Sequence, residues 1–159
     1  MIDFKKTAKV VLLAAGLLLS HAAQAAGTVN PAAPNGNSDK PGATYVLGDM
    51  GPLGGKVYYV DASGEHGLEA KAADEINSLS WNDAVTAASA YGSGWHLPAK
   101  AELKVLYEHR NLVGGFAKDD YWSCTELDSN SAWIQGFVNG DQDRYNKYSK
   151  LSVRAVRPF

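Results

Sequence analysis

The chain has 159 residues, of which 45% are hydrophobic and 10% aromatic, with a formal net charge of −2 and one cysteine. A lone Cys124 excludes an intrachain disulfide, so stability must come from apolar burial, which a domain of roughly 115 residues supplies without covalent staples. The acidic balance excludes a protein that grips nucleic acid by net charge, since phosphate-backbone binding needs a basic face.

Residues 1–25 read as a secretory signal peptide. Lys5, Lys6 and Lys9 form the basic start, Val10 to Leu19 the apolar stretch, and Ala23-Gln24-Ala25 a small-x-small cleavage site. The apolar run is about half the roughly 20 residues that span a bilayer, so no membrane span is expected. Three Lys against Asp3 leave with that segment, and −2 minus (+2) gives −4 for the remainder. A periplasmic or secreted location follows. Residues 26–43, rich in Pro, Gly and Asn and without aromatics, read as a flexible spacer that cannot bury enough surface to fold. Residues 44–159 form the domain.

Within it, Tyr45-Val46-Leu47 and Lys56 to Val60 read as strands around a Gly51–Gly55 turn, and Gly67 to Ala70 as another strand. Ser80 reads as a helix N-cap, with Asp83 three residues on and Trp81, Ala84, Val85 and Ala88 on one face; Gly92 stops the helix. A second helix follows Pro98 to about Arg110, burying Leu103, Leu106 and Tyr107 and exposing Glu102, Lys104 and Glu108. Strands at Tyr121 to Thr125 and Ala132 to Val138, a type I′ turn at Asn139-Gly140, and a closing strand Leu151 to Val156 complete the chain. Strands on either side of a helical middle predict an α+β fold with an antiparallel sheet.

Several of these residues fall in a familiar order: Gly55 to Val60, His66 to Ala70, Trp81 with Ala84, Gly94-Trp95-His96-Leu97-Pro98, Glu102-Leu103, Tyr121-Trp122-Ser123, Ala132-Trp133, Phe137, Gly140 and Val153-Arg154-Ala155-Val156-Arg157. Jointly, from about Gly51 to Arg157, they resemble the Lcl C-terminal domain family, the module that ends the Legionella collagen-like adhesin. The resemblance implies a C-type-lectin-like fold, two helices packed on a twisted antiparallel sheet. It also implies an adhesin-like binder of carbohydrate or a glycosaminoglycan-like polymer, in some members a trimer. The chain departs from that family in two places. Many members carry a cysteine in the first helix and another in the last strand, where this chain has Ala87 or Ala88 and Ala155. Cys124 stands where the family has a small residue such as Ser. The collagen stalk is absent, so trimerisation through one does not carry over.

Catalytic and metal chemistry find little support. His66, His96 and His109 have no partner at zinc-ligand spacing, and His96 sits among core residues entering a helix, so it reads as structural. There is no Gly-x-Ser-x-Gly elbow and no phosphate loop. Cys124 beside Trp122 reads as a buried small hydrophobe. Glu126, Asp128, Asn130, Asn139, Asp141 and Asp143 offer oxygen ligands of the kind Ca²⁺ takes, but they lack the Gly and Glu of a calcium loop and solvated turn chemistry also accounts for them; no cofactor is expected, with Ca²⁺ as the alternative. Trp81-Asn82-Asp83 matches the lectin calcium motif in letters only, because it opens a helix here. An enzyme is not expected. Sugar binding needs an aromatic face and bidentate polar groups, and the last hairpin supplies both in Trp133, Gln135, Asn139, Asp141, Arg144, Tyr145 and Tyr148. The alternative partner is an envelope protein.

Overall fold

The computed structural model describes residues 42–159. The expected signal peptide and the spacer up to residue 41 lie outside the described residues. The fold is α+β, with two separate three-stranded antiparallel sheets in place of the single sheet expected. The first has the order β1 (Lys56–Val60), β2 (Gly67–Ala70) and β6 (Val156–Pro158); the second has the order β3 (Asp120–Glu126), β4 (Ser131–Gly136) and β5 (Gln142–Asn146). Between them in sequence come α1 (Trp81–Ala90), α2 (Lys100–Glu108) and the single turn α3 (Arg110–Val113).

The helices form where the apolar spacing demands. Ala84 and Ala88 bury one stripe of α1, and Leu103 and Leu106 one stripe of α2. Ser80 stands at the N-cap of α1 as expected, but its hydroxyl donates to Asp83 Oδ2 at 2.6 Å, with no bond from its side chain to the helix backbone. At the start of α2 the capping is done by Glu102, whose Oε2 accepts the Ala99 N–H at 2.7 Å. Glu102 was expected on the exposed face and is instead buried, because this backward reach turns its carboxylate under the chain.

Three strand expectations are corrected. Tyr45 to Leu47 is not a strand: Asp49 Oδ2 accepts the Val46 N–H and the Asp49 N–H donates to the Val46 carbonyl, closing a turn. The β4–β5 hairpin is not a two-residue turn after Val138. Strand β4 stops at Gly136, whose N–H donates to the Asp141 carbonyl, and Phe137 leaves the ladder to donate to the Asp119 carbonyl while its ring enters the core. The closing strand starts at Val156. The preceding residues Leu151 to Ala155 are buried on every side, and their backbone bonds in turn to Leu79, Asp120, Trp122, Glu75 and Lys71. A segment shared among so many partners makes isolated bridges and cannot build one ladder.

Two apolar clusters lie on opposite faces of the β3–β4–β5 sheet. Alternation along β3 puts Trp122 with Ile134, Ala84, Ala88, Trp95 and Leu97 in one cluster and Tyr121 with Phe137, Leu103, Leu106 and Tyr58 in the other.

Candidate functional site

The same alternation separates the hairpin residues proposed as sugar ligands. Trp133 stands opposite Arg144 and Gln135 opposite Gln142, so these side chains share one face, whereas Tyr145 stands opposite Ala132 and faces the other way. Trp133 is half-buried beneath the Lys100 ammonium, which stacks on its ring. Gln135 is not available to a ligand: it is fully buried, and its amide donates to the Gly136 and Asp141 carbonyls at 3.3 Å. Asn139 and Asp141 lie exposed in the hairpin loop and bond to each other, Asn139 Nδ2 to Asp141 Oδ2 at 2.6 Å. Arg144 and Tyr145 are exposed on β5. These residues form no single concave site.

Tyr148 belongs to a different place, at the opposite end of β5. It lines a cleft of about 230 Å³ together with Ser80, Asn82 and Asp83 from the start of α1, Ser129 and Asn130 from the β3–β4 loop, and Lys147. Hydrogen bonds hold the three segments in register. The Trp81 N–H donates to the Lys147 carbonyl at 3.0 Å, and the Lys147 N–H donates to the Asn130 carbonyl at 2.9 Å. Lys147 Nζ reaches Glu126 Oε2 at 2.5 Å and the carbonyls of Asp128 and Ser129 at 2.9 and 3.2 Å, lying 4.6 Å from the Trp81 ring centre. Asp128 Oδ1 accepts the Asn130 and Ser131 N–H groups, and these bonds hold its carboxyl below the usual range. Tyr148 projects from a turn in which Asn146 accepts the Tyr148 and Ser149 N–H groups, and the ring is 84% exposed. The sequence singles out Tyr148 but not Ser80, Asn82, Asp83, Ser129 and Lys147 as its neighbours in the cleft. Ser80, Asn82 and Asp83 reach the others only through contacts across more than 40 residues of sequence.

The candidate calcium ligands split in the same way: Glu126, Asp128 and Asn130 lie at one end of β4 and Asn139 and Asp141 at the other. Asp128 is engaged in turn bonds and Glu126 in the Lys147 pair. Among the described residues no group of three or more His, Cys, Asp or Glu side chains is placed to hold a metal ion.

His96 and Cys124 are both committed elsewhere. His96 Nδ1 faces the Gly94 carbonyl at 2.9 Å and Nε2 faces Glu102 Oε2 at 3.2 Å, so both ring nitrogens meet acceptors. Burial opposes its charge, but the bond to and charge of Glu102, with the Gly94 carbonyl, outweigh it and raise the imidazole pKa. The Cys124 thiol is pushed up to about 12 by burial and by the Glu102 charge, which leaves almost no thiolate at neutral pH. Arg154, part of the closing motif that carries the family resemblance, is 1% exposed and binds Asp74 Oδ1 at 2.7 Å and the carbonyls of Lys71, Gly114 and Gly115.

A family model described as the Lcl C-terminal domain matches residues 61–157. The match begins after β1, ten residues beyond the Gly51 from which the sequence resemblance was read. No curated protein matches the chain.

Proposed function

The chain belongs to the Lcl C-terminal domain family, and from that premise we propose that it is an exported, non-catalytic binding module whose partner is a carbohydrate or surface polymer. The family is adhesin-related. Among the described residues no helix is long and apolar enough to cross a membrane, which fits a periplasmic or secreted binder. The observation that carries the reading is Tyr148, an 84% exposed ring at the lip of a cleft lined by amide, hydroxyl and carboxylate groups. An open aromatic face takes the C–H side of a sugar ring, and side-chain amides and carboxylates take its hydroxyls in pairs. A non-catalytic role is favoured by the engagement of His96 with Glu102 and by the suppressed thiolate of Cys124.

Glycan-array and calorimetric binding test this reading. Tyr148→Ala, at a position with little packing to lose, is expected to weaken glycan binding by about tenfold or more, the scale of one lost stacking contact, with the thermal midpoint unchanged. Full binding by Tyr148→Ala would remove the cleft from consideration.

One observation favours a second reading, a protein-assembly module. Val46, Met50 and Leu53 are exposed in the loop before β1, and Leu112 of α3 is exposed where it approaches Gly48. A Met50→Asp variant that binds glycans normally but loses a stoichiometric envelope partner would establish this reading.

A further inference from the structure

Resting on the carbohydrate reading of the Tyr148 cleft, we propose that its ligand is an uncharged, hydroxyl-rich sugar unit and not a sulfated or carboxylated one. The cleft has one cation, Lys147, and that cation is spent. An ammonium has three donors, and those of Lys147 go to Glu126 Oε2, the Asp128 carbonyl and the Ser129 carbonyl, at 2.5, 2.9 and 3.2 Å. Glu126 cancels its charge, and the Trp81 ring lies against it. An arriving sulfate would have to break this set to gain one contact.

The other charged group of the cleft is Asp83. It accepts the Ser80 hydroxyl on Oδ2 at 2.6 Å, and its remaining carboxylate capacity repels an anion while accepting sugar hydroxyls. The side-chain amides of Asn82 and Asn130 donate or accept no hydrogen bond among the described residues, and both line the cleft. Each offers a paired donor and acceptor to adjacent hydroxyls, with Tyr148 beside them.

The rest of the C-terminal half does not restore a basic face here. Arg154 is buried on Asp74, and Lys100 lies over the Trp133 ring. Lys150 is exposed but does not line the cleft. Of the nine Lys and Arg after residue 99, Lys147 alone is among the residues that line the cleft.

The experiment is isothermal titration calorimetry of protein produced from the full-length coding sequence. The probes are chitohexaose, cellohexaose and mannohexaose as neutral ligands and heparin and chondroitin sulfate as anionic ones, each at low and high salt. Saturable binding of a neutral probe, unchanged by salt and weakened about tenfold or more in both Tyr148→Ala and Asn82→Ala, is the expected result. Binding confined to the sulfated probes and falling with salt would overturn the neutral class while leaving a carbohydrate binder. Neutral binding indifferent to both substitutions would overturn the placement in this cleft. Silence with every probe would overturn this proposal and the carbohydrate reading together.

Discussion

Arg154 shows how much one side chain can organise. Its guanidinium ties the segment before α1, through Asp74 and Lys71, to the loop after α3, through Gly114 and Gly115, and its face lies on the Phe116 ring. Asp74 in turn accepts the Tyr121 hydroxyl. Removing one partner of a buried pair strands the other, so Arg154→Met is expected to cost about 3–5 kcal/mol, seen as a lower denaturant midpoint with an unchanged slope. Adding Asp74→Asn should recover part of that loss. His96 acts with pH. Its folded pKa is raised, whereas the unfolded imidazole titrates near about 6.5. The stabilisation is therefore complete below about pH 6.5 and lost as pH rises through the raised folded value. Thermal midpoints of the native protein should fall from about pH 6 towards pH 8.5, and His96→Gln should flatten that slope; equal slopes would show that the His96–Glu102 contact contributes nothing.

Elements are fixed by close approaches as much as by propensity. Gly67 opens β2 beneath the end of β1 and exchanges backbone bonds with Phe159. A Cβ there would lie 2.1 Å from the Tyr59 carbonyl oxygen and 2.8 Å from the Phe159 ring, and the carbonyl belongs to a strand that cannot yield. Gly67→Ala is expected to cost more than about 2 kcal/mol. Gly54, at φ +83°, has open space around it, so Gly54→Ala bears only backbone strain, about 1–2 kcal/mol. Denaturation of the two variants side by side checks the order. Strand β1 is legible in the sequence because its β-branched and aromatic run is bounded by Gly-rich turns. Strand β5 is not: Gln142 to Asn146 is polar apart from Tyr145, because it is an edge strand with most of its side chains in water.

At the scale of the whole molecule, the β3–β4–β5 sheet separates two apolar cores. Trp95 and Trp122 report on one, and Leu106 lies in the other. Leu106→Ala is expected to destabilise by about 2–5 kcal/mol. The shift should appear equally in tryptophan fluorescence and in far-ultraviolet circular dichroism, since adjacent strand residues such as Tyr121 and Trp122 couple the two cores. Separate transitions would show that the cores unfold independently.

The sequence by itself determined the α+β class, both main helices, strands β1 and β2 and the family, because periodicity, turn residues and motif order are local and survive without coordinates. Tertiary structure alone decided that the sheet is two sheets, since Leu151 to Ala155 gives its backbone bonds to segments distant in the chain. It also decided the make-up of the candidate site. Arg144 and Tyr145 are neighbours in sequence, yet strand alternation turns Tyr145 away from the face that Arg144 shares with Trp133. Ser80, Asn82 and Asp83 are more than 45 residues from Ser129, Asn130, Lys147 and Tyr148, yet they line one cleft with them. Local pattern says which face a side chain takes within its own element, and only packing says which other element meets it there.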